Sequence, residues 1–155
     1  MLVKEISRRH ELNEEARSYV KEMIEYNVQG GKMNRGLSVV HSLRSLKGDR
    51  LSVHELNDAT TLGWCIEFLQ AFFLVADDVM DRSVTRRGKP CWYKRPDVKE
   101  IAINDSFILE SCVFELIRKR FKGRECYVSL LELFHEVTLQ TEVGQLLDLT
   151  SQPID

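Results

Sequence analysis

The longest uninterrupted helical pattern in this sequence runs from about residue 53 to residue 81. It opens with Ser52-Val53-His54-Glu55, a capping box in which the serine caps the helix and the glutamate reaches back. No proline interrupts it, since the three prolines of this 155-residue chain lie at positions 90, 96 and 153. A helix of that length spans ~43 Å. Its strongly apolar second half predicts a central, buried position.

The rest of the chain predicts four further helices and no strand. Helical periodicity covers about residues 13–26, 35–46, 104–121 and 127–149. Gly30-Gly31, Gly48 and Gly123 end three of these segments, and a loop with Gly88 and two prolines covers about residues 83–97. We therefore expect one all-α domain over residues 1–155.

Composition excludes several classes of protein. Hydrophobic residues make up 43% and charged residues 30%, which is typical of a folded globular chain. The net charge of -2 argues against nucleic acid as a partner. The four cysteines form no Cys-x-x-Cys pair, so we expect reduced thiols and a cytoplasmic protein. The longest apolar run, about residues 71–76, is far short of the ~20 residues of a membrane span.

Three carboxylates, Asp77, Asp78 and Asp81, end the central helical pattern and are called the acidic end below. Buried carboxylates are costly unless cations pair with them. Asp77 and Asp81 are four residues apart and share a helix face, an arrangement that suits a hard divalent cation bridging to phosphate. Asp78 points aside by roughly 100° and is a weaker candidate ligand.

Two features favour a diphosphate site over the alternative, a solvated acidic patch at a helix end. Gln70, Phe73 and Asp77 lie on one helical stripe, which places an apolar wall about one turn, ~6 Å, below the acids. Arg82, Arg86 and Arg87 follow the acids directly.

A second candidate is the basic segment, residues 30–36, with the sequence Gly-Gly-Lys-Met-Asn-Arg-Gly. Lys32 and Arg35 are three residues apart at a predicted helix start, where backbone N–H groups and the helix dipole favour anions. This arrangement suits a phosphate that carries no metal. A glycine turn followed by a basic surface turn is the alternative, and the segment alone leaves both open.

The last predicted helix carries a polar stripe of Thr141, Gln145 and Asp148. Spacing alone favours a solvent-exposed face over a functional role. The loop segment Cys91-Trp92-Tyr93 either covers a site or packs on the core, and the sequence does not choose between them.

Together these motifs resemble the farnesyl diphosphate synthase family of short-chain trans-prenyltransferases. The matching stretches are residues 30–37, 67–81, 85–88, 91–93, 102–105 and 140–149. The resemblance implies an isoprenoid synthase-type helical bundle around a central cavity, usually homodimeric, that joins an allylic diphosphate to isopentenyl diphosphate. It also implies Mg²⁺ as the cofactor and a reaction through an allylic carbocation.

The resemblance also assigns roles to single residues. Asp77, Asp78 and Asp81 match the first aspartate-rich, metal-binding motif, and Asp148 matches a further metal carboxylate. Arg86 matches the arginine on the allylic diphosphate. Phe72 and Phe73 match the bulky pair that limits product length, and Gln145 matches a substrate-binding position. The isopentenyl diphosphate pocket is matched by Gly31, Lys32, Arg35, Gln70 and Arg87.

The sequence departs from the family after Asp148, because no second aspartate-rich motif follows in the remaining residues. We expect about half of the family fold, with apolar stripes of the third and fifth predicted helices exposed. We also expect a fragment of a farnesyl diphosphate synthase with little or no turnover alone. The alternative is a non-catalytic binding or regulatory partner of a full-length synthase. A terpene cyclase is disfavoured by the basic residues of a second diphosphate pocket.

Overall fold

The computed structural model describes residues 2–48 and 50–151. Within them lie six α-helices, a two-stranded antiparallel hairpin and one turn of 3-10 helix, Trp92–Lys94. The helices are α1 Leu2–Arg9, α2 Glu14–Val28, α3 Asn34–Lys47, α4 Val53–Met80, α5 Ile101–Phe121 and α6 Cys126–Ser151. The strands are β1 Thr85–Arg86 and β2 Lys89–Pro90. The all-α prediction is confirmed.

Helix α4 is the central element, as predicted. The predicted capping box starts it, since Ser52 Oγ accepts from the Glu55 N–H and the Glu55 carboxylate accepts from the Ser52 N–H. Its most extensive contacts are with α5 and α3, and it also packs on α2. The fully buried core side chains of these helices include Met23, Cys65, Leu109, Val113 and Ile117.

Two glycines fix the crossing of α3 and α4. A Cβ on Gly63 would lie 2.5 Å from the Gly36 carbonyl oxygen, and a Cβ on Gly36 would lie 2.9 Å from the Gly63 carbonyl oxygen. Any residue larger than glycine at either position would force one of the two helices to move. The first turn of α3 is therefore held directly against the middle of α4.

The structure corrects several predicted boundaries. Helix α1 was not predicted, because a helix of eight residues is marginal on its own. In the structure, ion pairs from Glu5 and Arg9 to residues of α5 stabilise it. The hairpin corrects the prediction that no strand forms and lies in the predicted loop. Helix α5 starts at Ile101, three residues before the predicted Asn104. Helix α4 ends at Met80, so Asp81 is its C-cap rather than part of the helix.

Helix α6 is mostly exposed, as expected for the fifth predicted helix. Only Phe134 and Thr138 are buried among its described residues. Its exposed apolar side chains are Val128, Leu133, Val137, Leu139, Val143, Leu146 and Leu147. Helix α4 is the third predicted helix, and the expectation that it exposes an apolar stripe is wrong over most of its length. Helices α2, α3 and α5 cover its apolar side chains.

The helix that contains the short apolar run bears on the prediction that the chain has no membrane span. By length and composition α4 as a whole would qualify as such a span, although 50% of its most apolar window is buried inside the fold. It also carries the buried acids Glu67 and Asp78. Burial by its neighbours is the property of a core helix.

Candidate functional site

The acidic end is shaped by the way α4 stops. The Ser83 N–H donates to the Asp78 carbonyl and the Arg82 N–H to the Val79 carbonyl, the two hydrogen bonds of a Schellman motif. Arg82 therefore takes the left-handed position of that motif, with φ 53°, where glycine is the usual residue. The chain reverses here and enters the hairpin beside the acids.

Arg86 of strand β1 bridges two of the three acids. Its Nε donates to Asp78 Oδ1 at 3.0 Å, while Nη2 donates to the same oxygen at 2.6 Å and to Asp77 Oδ2 at 3.0 Å. The Asp78 side chain is only 5% exposed, so this guanidinium is what makes its burial tolerable. Two carboxylates thus share one cation at the negative end of the α4 dipole, which leaves an excess of negative charge.

The same contacts perturb proton affinities. The hydrogen bond to Asp78 raises the pKa of the Arg86 guanidinium above its usual value. Burial, and then the hydrogen bond to Asp78, raises the pKa of the Cys91 thiol to about 11. Cys91 is therefore a neutral thiol at physiological pH and an unreactive neighbour of the acidic end.

Arg87 follows Arg86 but contacts a different region. Thr85 pairs with Pro90 and Arg86 with Lys89, so Arg87 and Gly88 form the two-residue turn, with φ 55° and 74°. The Arg87 guanidinium donates to the carbonyls of Gln29 at 3.1 Å and Asn27 at 3.4 Å. It supplies a cation to the C-terminal end of α2, whose last turn has no basic residue of its own.

The Arg87 guanidinium also covers Gly31 of the basic segment. A Cβ on Gly31 would lie 3.0 Å from Arg87 Cζ, so glycine leaves room for the guanidinium. A small cavity of about 50 Å³ lies between the end of α2, the hairpin and α4. Gly30, Asp78, Arg86 and Arg87 are among its lining residues, so the hairpin joins the acidic end to the basic segment.

A larger apolar cavity of about 450 Å³ opens between α4, α5 and α6. Phe72 and Phe73 line it from α4, with their rings 4.6 Å apart, and Phe107 lines it from α5. Gln145 lines it from α6 and donates from Nε2 to Asp77 Oδ1 at 3.2 Å. The apolar wall predicted below the acids is therefore present, and Gln145 links its rim to the acidic end.

The basic segment leads into α3 through an unusual N-cap. Met33 occupies that position with a left-handed φ of 52° and provides no side-chain cap. The capping acceptor comes instead from α4, where Glu67 Oε1 accepts from the Gly36 N–H at 2.7 Å. Lys32 and Arg35 are exposed, and neither forms an ion pair with a residue that the structure describes.

The remaining predicted residues are placed less closely together. Gln70 is half-buried on α4, and Asp81 and Asp148 are exposed at the end of α4 and on α6. Over residues 2–48 and 50–151, no three metal-ligating side chains form a preassembled cluster. The structure thus brings together Asp77, Asp78, Arg86 and Gln145, and separately Gly31 and Arg87.

Two buried acids near these regions were not predicted from the sequence. Glu67 caps α3 from 31 residues away, and its only sequence signal is a lone acid in the apolar half of α4. Asp105, which is 1% exposed, accepts from the Trp92 indole at 2.8 Å and the Tyr19 hydroxyl at 2.6 Å. These bonds hold the segment after the hairpin, and Cys91-Trp92 packs into the core rather than over the site.

Comparison with known proteins assigns the family. The model of the polyprenyl synthetase family matches residues 17–155. The chain belongs to the polyprenyl synthetase family. Farnesyl diphosphate synthase of Dictyostelium discoideum is 57% identical over 144 residues, covering 88% of this chain and 38% of that protein. Farnesyl pyrophosphate synthase of Saccharomyces cerevisiae is 52% identical over 144 residues, covering 91% of this chain and 41% of that protein.

Solved structures give the same assignment of the fold. T. brucei farnesyl diphosphate synthase superposes with a TM-score of 0.91 at 41% identity, over 99% of this chain and 48% of that chain. The same enzyme complexed with minodronate gives a TM-score of 0.91 at 40% identity, over 100% and 46%. The isoprenoid synthase-type fold is therefore confirmed. The chain spans about two fifths of the length of the curated relatives it matches.

Proposed function

We propose that this chain carries the two diphosphate-binding regions of a farnesyl diphosphate synthase. An allylic diphosphate binds at the acidic end with Mg²⁺, and isopentenyl diphosphate binds at the basic segment. The observation that carries the proposal is that two neighbouring arginines contact different regions. Arg86 contacts Asp77 and Asp78, while Arg87 covers Gly31. One hairpin thereby spaces the two sites.

The acidic end fits Mg²⁺ by its chemistry. Its donors are carboxylate oxygens at the negative end of a helix, where two acids share a single guanidinium. Magnesium usually binds through one or two carboxylates plus phosphate oxygens and water, so no preassembled all-protein cage is required. Asp77 and Asp81, with Asp78 and Asp148 as further candidates, would hold the metal, which acts as a Lewis acid toward the diphosphate leaving group.

The remaining steps use this chain's own residues. Arg86 is placed to stabilise negative charge on the departing diphosphate as the allylic carbon–oxygen bond breaks. The double bond of isopentenyl diphosphate attacks the allylic carbocation, a carbon–carbon bond forms, and the resulting carbocation passes a proton to an oxygen of the released diphosphate. The apolar cavity below Asp77 holds the hydrocarbon chain and excludes water, which would otherwise capture the cation.

Phe72 and Phe73 are proposed to set the length of the chain that this cavity accepts. Both side chains lie on its α4 wall, and Phe73 is one turn before Asp77. A bulky ring at that depth stops a growing chain by steric exclusion. The bisphosphonate complexes of the T. brucei enzyme support diphosphate-like ligands for this fold.

Metal-free binding of isopentenyl diphosphate tests the basic segment. We expect Arg87→Ala to weaken that binding by about tenfold in calorimetric titration, since it removes a charged hydrogen-bond donor from the pocket. Arg44→Ala, an exposed arginine elsewhere on α3, is the matched control and should bind as wild type. Equal affinity in wild type and Arg87→Ala would contradict the assignment.

Turnover is the second test. With radiolabelled isopentenyl diphosphate, dimethylallyl diphosphate and Mg²⁺, we expect little or no farnesyl product from this chain alone. A second aspartate-rich motif does not occur in its sequence. Product at a rate normal for the full-length relatives would contradict this part of the proposal.

The apolar side chains on the exposed face of α6 would be covered by a second copy of the chain, by a full-length synthase, or by family segments outside the matched two fifths. Sedimentation of the chain alone, and of a mixture with a full-length synthase, separates these arrangements. Mixed dimers with an altered rate would favour the non-catalytic regulatory role, whereas self-association alone would favour the homodimer.

A further inference from the structure

Glu67 is a buried acid that the proposed reaction does not yet use. It is 4% exposed in the apolar half of α4, one turn before Gln70. Its Oε1 accepts from the Gly36 N–H at 2.7 Å, a contact between two helices. A buried carboxylate needs strong partners, and a helix N-terminus supplies both a donor and a favourable dipole.

Helix α3 needs this acceptor because it lacks a cap of its own. The first intrahelical bond runs from the Leu37 N–H to the Met33 carbonyl, so the preceding N–H groups have no helical acceptor. The Met33 backbone is in the left-handed region, and its side chain offers no hydrogen-bond acceptor, unlike the Ser, Thr, Asp or Asn usual at this position. Glu67 takes over that function from α4.

The choice of N–H group matters for the basic segment. Glu67 binds the third residue of α3 and leaves the N–H groups of Asn34 and Arg35 without a partner among the described residues. Lys32 and Arg35 flank those groups and are exposed. An anion arriving from solvent therefore meets two cations and two free donors, while the carboxylate stays beneath the backbone.

We propose that Glu67 is a positioning residue for the metal-free diphosphate site, which rests on the proposed function of the basic segment. Its carboxylate, acting with the tight Gly36–Gly63 crossing, fixes the first turn of α3 so that the Lys32 and Arg35 cations and the adjacent N–H groups converge on one phosphate. Glu67 itself touches no substrate.

The experiment compares Glu67→Ala, Glu67→Gln and Glu132→Gln, the last being an exposed glutamate on α6. Calorimetry measures binding of isopentenyl diphosphate without metal and of dimethylallyl diphosphate with Mg²⁺. Nuclear magnetic resonance follows the Gly36 amide in the ligand-free chain. We expect Glu67→Ala to weaken only the metal-free ligand, about five- to tenfold, as loss of a helix cap implies. It should also shift the Gly36 amide resonance upfield.

Rescue separates positioning from general stability. Glu67→Gln retains an oxygen acceptor for Gly36 and should restore metal-free binding to within about twofold of wild type. Unchanged binding in Glu67→Ala overturns the inference, as does an equal loss for both ligands or an equal loss in Glu67→Gln. If wild type itself does not bind isopentenyl diphosphate, the proposed function of the basic segment fails and the inference fails with it.

Discussion

The acidic end of α4 and the basic segment before α3 are organised in opposite ways. Asp77 and Asp78 are already paired inside the chain, with Arg86 and, for Asp77, Gln145. Lys32 and Arg35 form no ion pair within the described residues. The basic segment is instead held through its backbone, by the cap from α4 and the glycine crossing.

This difference implies different costs of binding. A cation and a diphosphate at the acidic end must replace the existing Arg86–Asp77 contact. An anion at the basic segment meets charges that have no partner to give up. The fold of the first region is therefore stabilised by internal ion pairs, and the fold of the second by packing. Removing an internal ion pair should destabilise the acidic end, and changing the backbone packing should displace the basic segment.

The largest effect is expected from Arg86→Ala, which leaves the Asp78 carboxylate buried without its cation. We expect the free energy of unfolding to fall by about 2–3 kcal/mol, less than for a fully buried pair because Arg86 is partly exposed. Urea denaturation measures the change. Arg44→Ala should change stability by less than about 0.5 kcal/mol. Equal stability of the two variants would mean that the bridge does not support the acidic end.

Gly63→Ala disturbs the packing that holds the basic segment in place. Because its Cβ would lie 2.5 Å from the Gly36 carbonyl oxygen, α3 must move away from α4. We expect a loss of about 1–3 kcal/mol in unfolding free energy. Metal-free isopentenyl diphosphate binding should also weaken, while Mg²⁺-dependent binding should not change.

Gly144→Ala is the matched control for that change, because nothing lies within 4 Å of a Cβ at this position of α6. It should raise stability by up to ~1 kcal/mol through helix propensity. If Gly63→Ala behaved like Gly144→Ala, the crossing would not hold the basic segment.

Phe73→Ala changes the apolar cavity below the acids. Removing a half-buried ring enlarges the cavity and should improve binding of farnesyl diphosphate relative to geranyl diphosphate by about tenfold. Competition titration with Mg²⁺ measures the ratio. Leu133→Ala, on the exposed face of α6, should leave the ratio unchanged. An unchanged ratio in Phe73→Ala would remove its role in chain length.

The smallest effect is expected from a change to Glu55 at the start of α4. Glu55 caps its own helix, whereas the cap of α3 comes from another helix. Its hydrogen bond from Lys47, and then those from Ser52, lower the pKa of Glu55 from 4.5 to about 2. The folded state therefore gains stability from the ionised form above pH 4.5 and loses that gain as the pH falls toward 2. We expect Glu55→Gln to lower the Tm slightly at pH 7 and not at pH 2. A difference that persists at pH 2 would contradict this cause.

Local signals in the sequence predicted much of the fold. The capping box located the start of α4, and the stripe of Gln70, Phe73 and Asp77 placed an apolar wall below the acids, which the structure confirms. Both predictions depend on residues within a few helical turns. The hairpin escaped because Arg87 occupies a left-handed turn position where Asn, Asp or Gly is the usual signal.

Long-range contacts account for the rest. The cap on α3 depends on two residues in different helices, and helix periodicity carries no information on which helices meet. The pairing of Arg86 with the buried Asp78 likewise depends on the chain reversal at Arg82, a non-glycine residue in a left-handed position. The predicted roles of Asp81 and Asp148 remain predictions, since they concern a ligand and a metal.

The most direct measurement is calorimetric titration of geranyl diphosphate with and without Mg²⁺, in wild type and in Asp77→Asn/Asp81→Asn. We expect binding that requires Mg²⁺ and is lost in the double variant, while metal-free isopentenyl diphosphate binding is retained. Binding that is equally strong without the metal, or unchanged in the double variant, would contradict the assignment of the acidic end as a magnesium–diphosphate site.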